Sequence, residues 1–156
     1  MKDSRKKIKN FLEQEDFEKK INLLHQFPPL KVINVLFSLL VTTNEITKNR
    51  VVKTFGEVVS KLAEENLESA RIVMRRLMLS LNDESGGIGW GSPEAMGEIM
   101  ARSEKLAEEY HKILISYTPG GGNYLDFEEL QKDVIAGIRR LAVVRPDLVE
   151  EVKHLL

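Results

Sequence analysis

Cysteine is absent from this chain of 156 residues, and tryptophan occurs once. Without a thiol the chain can form no disulfide, no zinc–thiolate site, no cysteine nucleophile and no covalent attachment to a tetrapyrrole. A chain without disulfides is typical of a reducing compartment, so we expect a cytoplasmic protein. No sequence feature points to a cofactor, and we expect none.

Neither sign of charge dominates the sequence. The 23 basic and 24 acidic residues give a net charge of −1 and a pI of about 6.3, so no global field attracts nucleic acid or anionic lipid. Basic residues cluster only near the start, at Lys2, Arg5, Lys6, Lys7 and Lys9. We interpret this cluster as the solvated face of a first helix, with contact to nucleic acid or an acidic partner as the alternative.

Long hydrophobic runs are also missing. The longest apolar stretch, residues 32–41, is interrupted by Asn34 and Ser38 and is far shorter than the ~20 residues that span a bilayer. The first residues lack the apolar run of a signal peptide. We therefore expect no membrane partner.

Strand patterns are nearly absent, whereas helical periodicity extends along the whole chain. One example is the apolar stripe formed by Val51, Val52, Phe55, Val58, Val59 and Leu62, which falls on one side of a helix at about 100° per residue. The pattern predicts helices over residues 4–14, 16–26, 29–41, 47–65, 67–81, 92–104, 105–118, 126–144 and 146–156. The break near Ser103 is the least secure of these boundaries, since no glycine or proline marks it.

Local signals support several of these boundaries. Ser92-Pro93-Glu94 is typical of an N-cap, a first helical residue and an acid that interacts with the helix dipole. Glycines 120–122 predict the end of a helix, and Asp126 is a candidate cap for the next one. The arginine pairs at 75–76 and 139–140 lie beside apolar stripes, so we expect them at solvated helix edges.

A glycine recurs at a spacing that suggests a repeat. Residues 54–59 (TFGEVV) match 95–100 (AMGEIM), so that Gly56 and Gly97 are 41 positions apart. A degenerate third copy places Gly137 a further 40 residues along. Two helices in each period of about 40–47 residues is the HEAT and armadillo arrangement. We therefore predict an all-α fold, a short HEAT/armadillo-like stack of antiparallel helix pairs, in a single domain over residues 1–156. Residues 1–27 would cover the apolar helix 29–41, and residues 28–156 would form the repeats.

The segment 81–95, LNDESGGIGWGSPEA, resembles a motif in a family of small bacterial and archaeal HEAT-like proteins. These proteins are distantly similar to the lyase-type HEAT repeats of phycobilisome assembly. Further matching residues lie at 114–117, 125, 130–131 and 137–141, so the resemblance covers about residues 77–150. It implies a helical-repeat fold and no particular activity, and it does not imply lyase chemistry.

The loop that contains this motif is the main candidate site. In a HEAT-like stack it would lie beside the loops at 41–46 and 118–125, on one edge of the molecule. The predicted binding residues of this edge are Asn82, Asp83, Glu84, Ser85, Trp90 and Tyr124. An aromatic residue on an acidic, glycine-rich loop is typical of a protein or peptide anchor.

Other interpretations of the same loop remain open. Glycines before a helix can hold a phosphate, although no lysine or arginine follows them here. Asn82, Asp83 and Glu84 could supply oxygen ligands to a hard cation, which would make the loop a metal or small-molecule site. A structural reading has Trp90 filling the edge of the stack. We expect a non-enzymatic interaction or adaptor module that binds a protein or peptide through residues 82–94.

One enzymatic reading depends on two Glu-x-x-His pairs. Glu108 with His111, and Glu151 with His154, have the spacing of di-iron helix bundles, for which Glu57 and Glu98 would be the partner ligands. Helical geometry places both pairs away from the apolar stripes of their helices. We therefore expect them at the surface, with no catalytic site and no bound metal.

Overall fold

The computed structural model describes residues 2–42, 44–81 and 90–156, with side chains from Ser4 onward. Every regular element in these ranges is helical, which confirms the all-α prediction. The α-helices are α1 (Lys2–Glu13), α2 (Phe17–Lys20), α3 (Pro29–Leu39), α4 (Glu45–Glu65), α5 (Leu67–Ser80), α6 (Ser92–Arg102), α7 (Glu104–Ser116) and α8 (Glu128–Val144). Two 3-10 helices, Ile21–Gln26 and Pro146–Leu155, follow α2 and α8.

Side-chain caps begin three of these helices. Asn44 accepts a hydrogen bond from the Thr47 N–H at 3.1 Å, and Asn66 accepts one from the Ser69 N–H at 3.2 Å. Ser103 accepts from the Leu106 N–H at 3.3 Å. Its extended backbone separates α6 from α7, so the unmarked break near Ser103 is real. In each case the cap satisfies an N–H that has no partner within the helix.

Two predicted caps are wrong. Ser92 is the first residue of α6, after Gly91 at the cap position, and its buried hydroxyl lies 2.6 Å from the Ser80 hydroxyl of α5. Asp126 does not cap α8, which begins after Phe127 without a side-chain cap. The helix predicted over residues 146–156 is present as the 3-10 helix Pro146–Leu155.

The helices α4, α6 and α8 lie side by side as a first row, with α6 in the middle. The helices α3, α5 and α7 form a second row, in which α5 contacts both α3 and α7. Arg76 of α5 lies over the Phe37 ring of α3, 4.1 Å from its centroid, and Arg71 of α5 pairs with Glu109 of α7 at 2.7 Å. Consecutive helices from α3 to α8 also contact one another, so the chain alternates between the two rows.

The recurrent glycines lie at the contacts within the first row. A Cβ atom added to Gly97 would lie 2.2 Å from the Gly137 carbonyl oxygen, and one added to Gly137 would lie 2.5 Å from that of Pro93. One added to Gly56 would lie 2.6 Å from the Glu98 side chain. Gly56 of α4 and Gly97 of α6, which are 41 residues apart in the sequence, therefore both face the next helix of the row, whereas Gly137 of α8 faces back toward α6.

The apolar side chains that the sequence predicted to face the core are buried. Phe55 and Val59 of α4 have no exposed surface, and Leu62 is 8% exposed. Ile8 of α1 and Leu24 are buried with the apolar helix α3, which α1 contacts. In the ranges that the structure describes, no helix has both the length and the apolar character to cross a membrane.

Candidate binding site

A cavity of about 250 Å³ lies at one edge of the helix rows. Thr42 and Glu45 line it from the segment where the α3–α4 loop meets α4, and Lys48 lines it from the first turns of α4. Among the described residues, Trp90, just before α6, and Glu129, in the first turn of α8, also line it. The residues around 42, 90 and 129, which are distant in the sequence, thus meet at one edge.

Trp90 is half-buried and packs against a second aromatic residue. Its ring centroid lies 5.5 Å from that of Phe127, with the two planes tilted by 41°. Phe127 is itself 52% exposed. The indole is therefore neither a fully buried plug nor a freely projecting side chain. The indole gives the cavity an aromatic side chain that water can still reach, and Phe127 packs against it.

Carboxylates surround this aromatic pair. Glu45 is exposed in the first turn of α4, where a negative charge interacts favourably with the helix dipole. Glu129 is the second residue of α8, also in the first turn, and its side chain is 63% exposed. Its ion pair with Lys132, at 3.6 Å, is fully on the surface, where such pairs contribute little. Both carboxylates therefore keep lone pairs available to a basic group.

Beneath the cavity lies a buried ion pair. The Lys48 ammonium is 2.8 Å from Oδ1 of Asp133 and 3.8 Å from Oε2 of Glu94. Asp133 has no exposed side-chain surface, and its Oδ2 accepts a hydrogen bond from the Glu94 N–H at 3.1 Å. Asp133 of α8 thus caps the beginning of α6 from outside that helix. This contact satisfies an N–H group of the first turn and supports the backbone next to Trp90.

Burial dominates the titration of this pair. It raises the pKa of Asp133 to about 7, although the Lys48 ammonium and the Glu94 N–H both favour the carboxylate. The negative charge of Glu94 raises the pKa further. The pKa of Lys48 is also raised, because the attraction of Asp133 and Glu94 outweighs the desolvation of the ammonium. Lys48 therefore remains a cation across the physiological range.

The structure divides the predicted site residues into three groups. Asn82, Asp83, Glu84 and Ser85 lie outside the described residues. Trp90 lines the cavity described above. Tyr124 lines a different cavity, of about 400 Å³, with side chains that include Met78, Leu81 and Tyr117. It is 46% exposed. The predicted residues that are described are therefore not brought into one pocket.

Sequence reasoning missed Lys48 and Asp133, although one signal for Asp133 was present. The buried positions of α8 include Leu130, Val134, Gly137 and Ile138, and Asp133 lies on the same side. A carboxylate on an apolar stripe needs a partner, because an unpaired buried charge is very costly. Nothing in the local sequence identifies that partner as Lys48, which lies on α4.

A second ion-pair chain crosses the first helix row. Glu98, whose side chain is 8% exposed, accepts hydrogen bonds from Arg102 at 2.9 Å and from Arg140 at 2.6 Å. Arg102 also pairs with Glu57 at 2.8 Å, and Glu57 contacts His25 at 3.0 Å. Arg140 is only partly solvated, with a side chain that is 36% exposed, and it joins α8 to the buried Glu98 of α6.

The ion pairs of Glu57 and Glu98 do not fit the di-iron site considered from the sequence. Glu57 and Glu98 bind arginines, whereas Glu108, Glu151 and His154 are exposed. His111 Nδ1 lies 2.8 Å from the Ala107 carbonyl oxygen within its own helix. Within residues 2–42, 44–81 and 90–156, no three acidic or histidine side chains are close enough to hold a metal ion.

Comparison with known proteins found no matching family, no matching curated protein and no matching solved structure.

Proposed function

We propose that this chain is a non-enzymatic interaction module, built as a short HEAT-like stack, that binds a protein or peptide at the edge around residues 82–94. The repeat assignment is supported by the two rows of alternating helices and by Gly56 and Gly97, each of which faces the next helix of its row. In helical-repeat proteins, neighbouring repeats present their loops along one continuous edge, which is a common binding surface.

The observation that carries this proposal is Trp90, which lines an open cavity and packs against the exposed ring of Phe127. Aromatic residues contribute disproportionately to protein interfaces, because they bury a large area with few rotatable bonds. The cavity, at about 250 Å³, is smaller than the roughly 300–1,000 Å³ typical of small-molecule sites. It is better suited to one side chain of a larger partner.

The charge around the cavity favours a basic partner. Glu45 and Glu129 line the cavity, and Lys48 is engaged with Asp133 below them. A lysine or arginine of the partner could lie over the indole and pair with these carboxylates. We therefore propose that the bound segment combines an apolar or aromatic side chain with adjacent basic residues.

A display selection with random peptides tests this assignment. We expect the enriched sequences to contain an apolar or aromatic residue near lysine or arginine, and their affinity to fall as salt rises. Glu45→Gln and Glu129→Gln should weaken binding, whereas Glu150→Gln, on the final 3-10 helix and outside the cavity lining, should not. Enrichment of acidic peptides, or affinity that is insensitive to both Glu45 and Glu129, would contradict the proposal.

Three sequence-based expectations stay predictions. The metal or small-molecule alternative depends on Asp83 and Glu84, which lie outside the described residues. The resemblance to bacterial and archaeal HEAT-like proteins and the cytoplasmic location also stay predictions.

A further inference from the structure

The beginning of α1 and the first two turns of α3 line a small, open cavity on a part of the molecule distinct from the Trp90 site. Its lining residues Arg5, Lys31 and Asn34 are exposed. Its volume is about 160 Å³, and its lining side chains are Ser4, Arg5, Ile8, Lys31, Asn34 and Val35. Ile8 and Val35 are buried and form an apolar floor. The remaining four residues are polar, and none of them is acidic.

Arg76 determines which atoms Asn34 offers to this cavity. Arg76 Nη1 lies 3.0 Å from Oδ1 of Asn34. Arginine has only donors, so Asn34 must present its carbonyl oxygen to Arg76. The NH2 group of Asn34 is then left to donate elsewhere. The Arg76 guanidinium is itself held in place over the Phe37 ring.

The polar lining is therefore rich in hydrogen-bond donors. Arg5 and Lys31 carry positive charges, Asn34 supplies an NH2 group, and Ser4 supplies a hydroxyl. Among the described residues, neither Arg5 nor Lys31 forms an ion pair with a carboxylate. Arg76 adds a third cation behind Asn34. Lys31 is also in the first turn of α3, where the helix dipole favours an anion.

We propose that this cavity binds one phosphoryl group, as inorganic phosphate or as a phosphate monoester. A phosphoryl group has several acceptor oxygens and no need of a protein acceptor, which matches a lining of cationic and neutral donors. The volume of about 160 Å³ is below the range of sites for drug-sized ligands. The site therefore suits a single phosphoryl group and not a whole nucleotide. It is independent of the function proposed for the Trp90 edge.

Calorimetric titration of the full chain with inorganic phosphate, and separately with phosphoserine, tests the proposal and distinguishes the two sources. We expect saturable binding that Arg5→Gln and Lys31→Gln each weaken at least fivefold. The matched control is Lys6→Gln, which removes a neighbouring charge of the same basic run without altering the cavity lining. It should change the affinity less than twofold.

Asn34→Asp is the most specific variant. The new carboxylate keeps an acceptor for Arg76, so the fold should be retained, as circular dichroism would show. It also replaces the donated NH2 by a negative oxygen, so phosphate binding should fall at least tenfold. Three results would overturn the proposal: no saturable binding at millimolar phosphate, wild-type affinity in Asn34→Asp, or equal losses in Lys6→Gln and Arg5→Gln. Equal losses would indicate diffuse attraction to the basic run. Binding of a single-stranded DNA oligonucleotide that Lys6→Gln and Arg5→Gln weaken equally would also indicate diffuse attraction of anions to the basic run.

Discussion

Gly97 of α6 and Gly137 of α8 meet backbone to backbone. A Cβ atom on Gly97 would lie 2.2 Å from the Gly137 carbonyl oxygen, closer than any real contact of that kind. The two helices thus approach at a point where neither has a side chain. The same region contains Pro93 and Glu94, which precede Gly97 on α6 and lie beside Asp133 and the Trp90 cavity.

Gly97→Ala should destabilise the protein by at least ~2–3 kcal/mol, because the added methyl must push two backbones apart. The matched control is Gly122→Ala, where an added Cβ meets nothing within 4 Å, and it should stay within ~0.5 kcal/mol of the wild type. Urea denaturation measures both. Equal midpoints for the two variants would show that α6 and α8 do not pack closely at these glycines.

Glu98→Gln should cost about 2–3 kcal/mol of unfolding free energy. The substitution removes the negative charge that Arg102 and Arg140 share at a nearly buried position, and breaking such a pair leaves charges without compensation. Both arginines remain about one-third exposed, so the cost should be below that of a fully buried pair.

Chemical denaturation of Glu98→Gln beside Glu150→Gln provides the comparison. Glu150 pairs with Lys153 on the surface, and its side chain is 66% exposed, so its loss should change stability by less than ~0.5 kcal/mol. A Glu98→Gln variant as stable as Glu150→Gln would rule out a stabilising role for the ion-pair chain.

Asp133 should make stability depend on pH between about 4 and 7. Burial raises its folded-state pKa from 3.8 to about 7. In this window the folded protein therefore holds a proton that the unfolded chain has released. The contribution of Asp133 is fully present below pH 4 and is lost as the pH rises toward 7, by up to about 4 kcal/mol.

Thermal or urea unfolding as a function of pH measures this effect. The comparison variant is Asp133→Asn, which cannot titrate and keeps an oxygen that can accept from the Glu94 N–H. The difference in unfolding free energy between wild type and variant should change with pH mainly between 4 and 7. A constant difference over that range would mean that Asp133 is ionised in the folded protein throughout.

The sequence alone predicted the helices well because their signals are local. The apolar stripe around Phe55 depends only on neighbouring residues. The caps Asn44, Asn66 and Ser103 are also local, although they were not identified from the sequence. Ser92 was misassigned for the opposite reason. Its sequence context is typical of an N-cap, but its hydroxyl finds a partner on another helix, at Ser80, and that tertiary contact overrides the local preference.

The candidate site was predictable in position but not in composition. Trp90 was identified because a single tryptophan among glycines is unusual, and the neighbouring loop around Thr42 was expected beside it. Phe127, Lys48 and Asp133 were not identified, because their contribution depends on how α4, α6 and α8 are aligned. No local pattern encodes that alignment, apart from the recurrent glycines.

The affinity of Trp90→Ala for a peptide obtained by selection on the wild-type protein tests the central claim most directly. Truncation of the indole should weaken binding at least tenfold, which is about 1.4 kcal/mol. Because Trp90 is half-buried and its main aromatic contact is the exposed Phe127, the melting temperature should fall by only a few degrees. Tyr124→Ala, which alters the neighbouring cavity, should leave the affinity within twofold. An unchanged affinity in Trp90→Ala would contradict the account, as would a loss of binding explained entirely by unfolding.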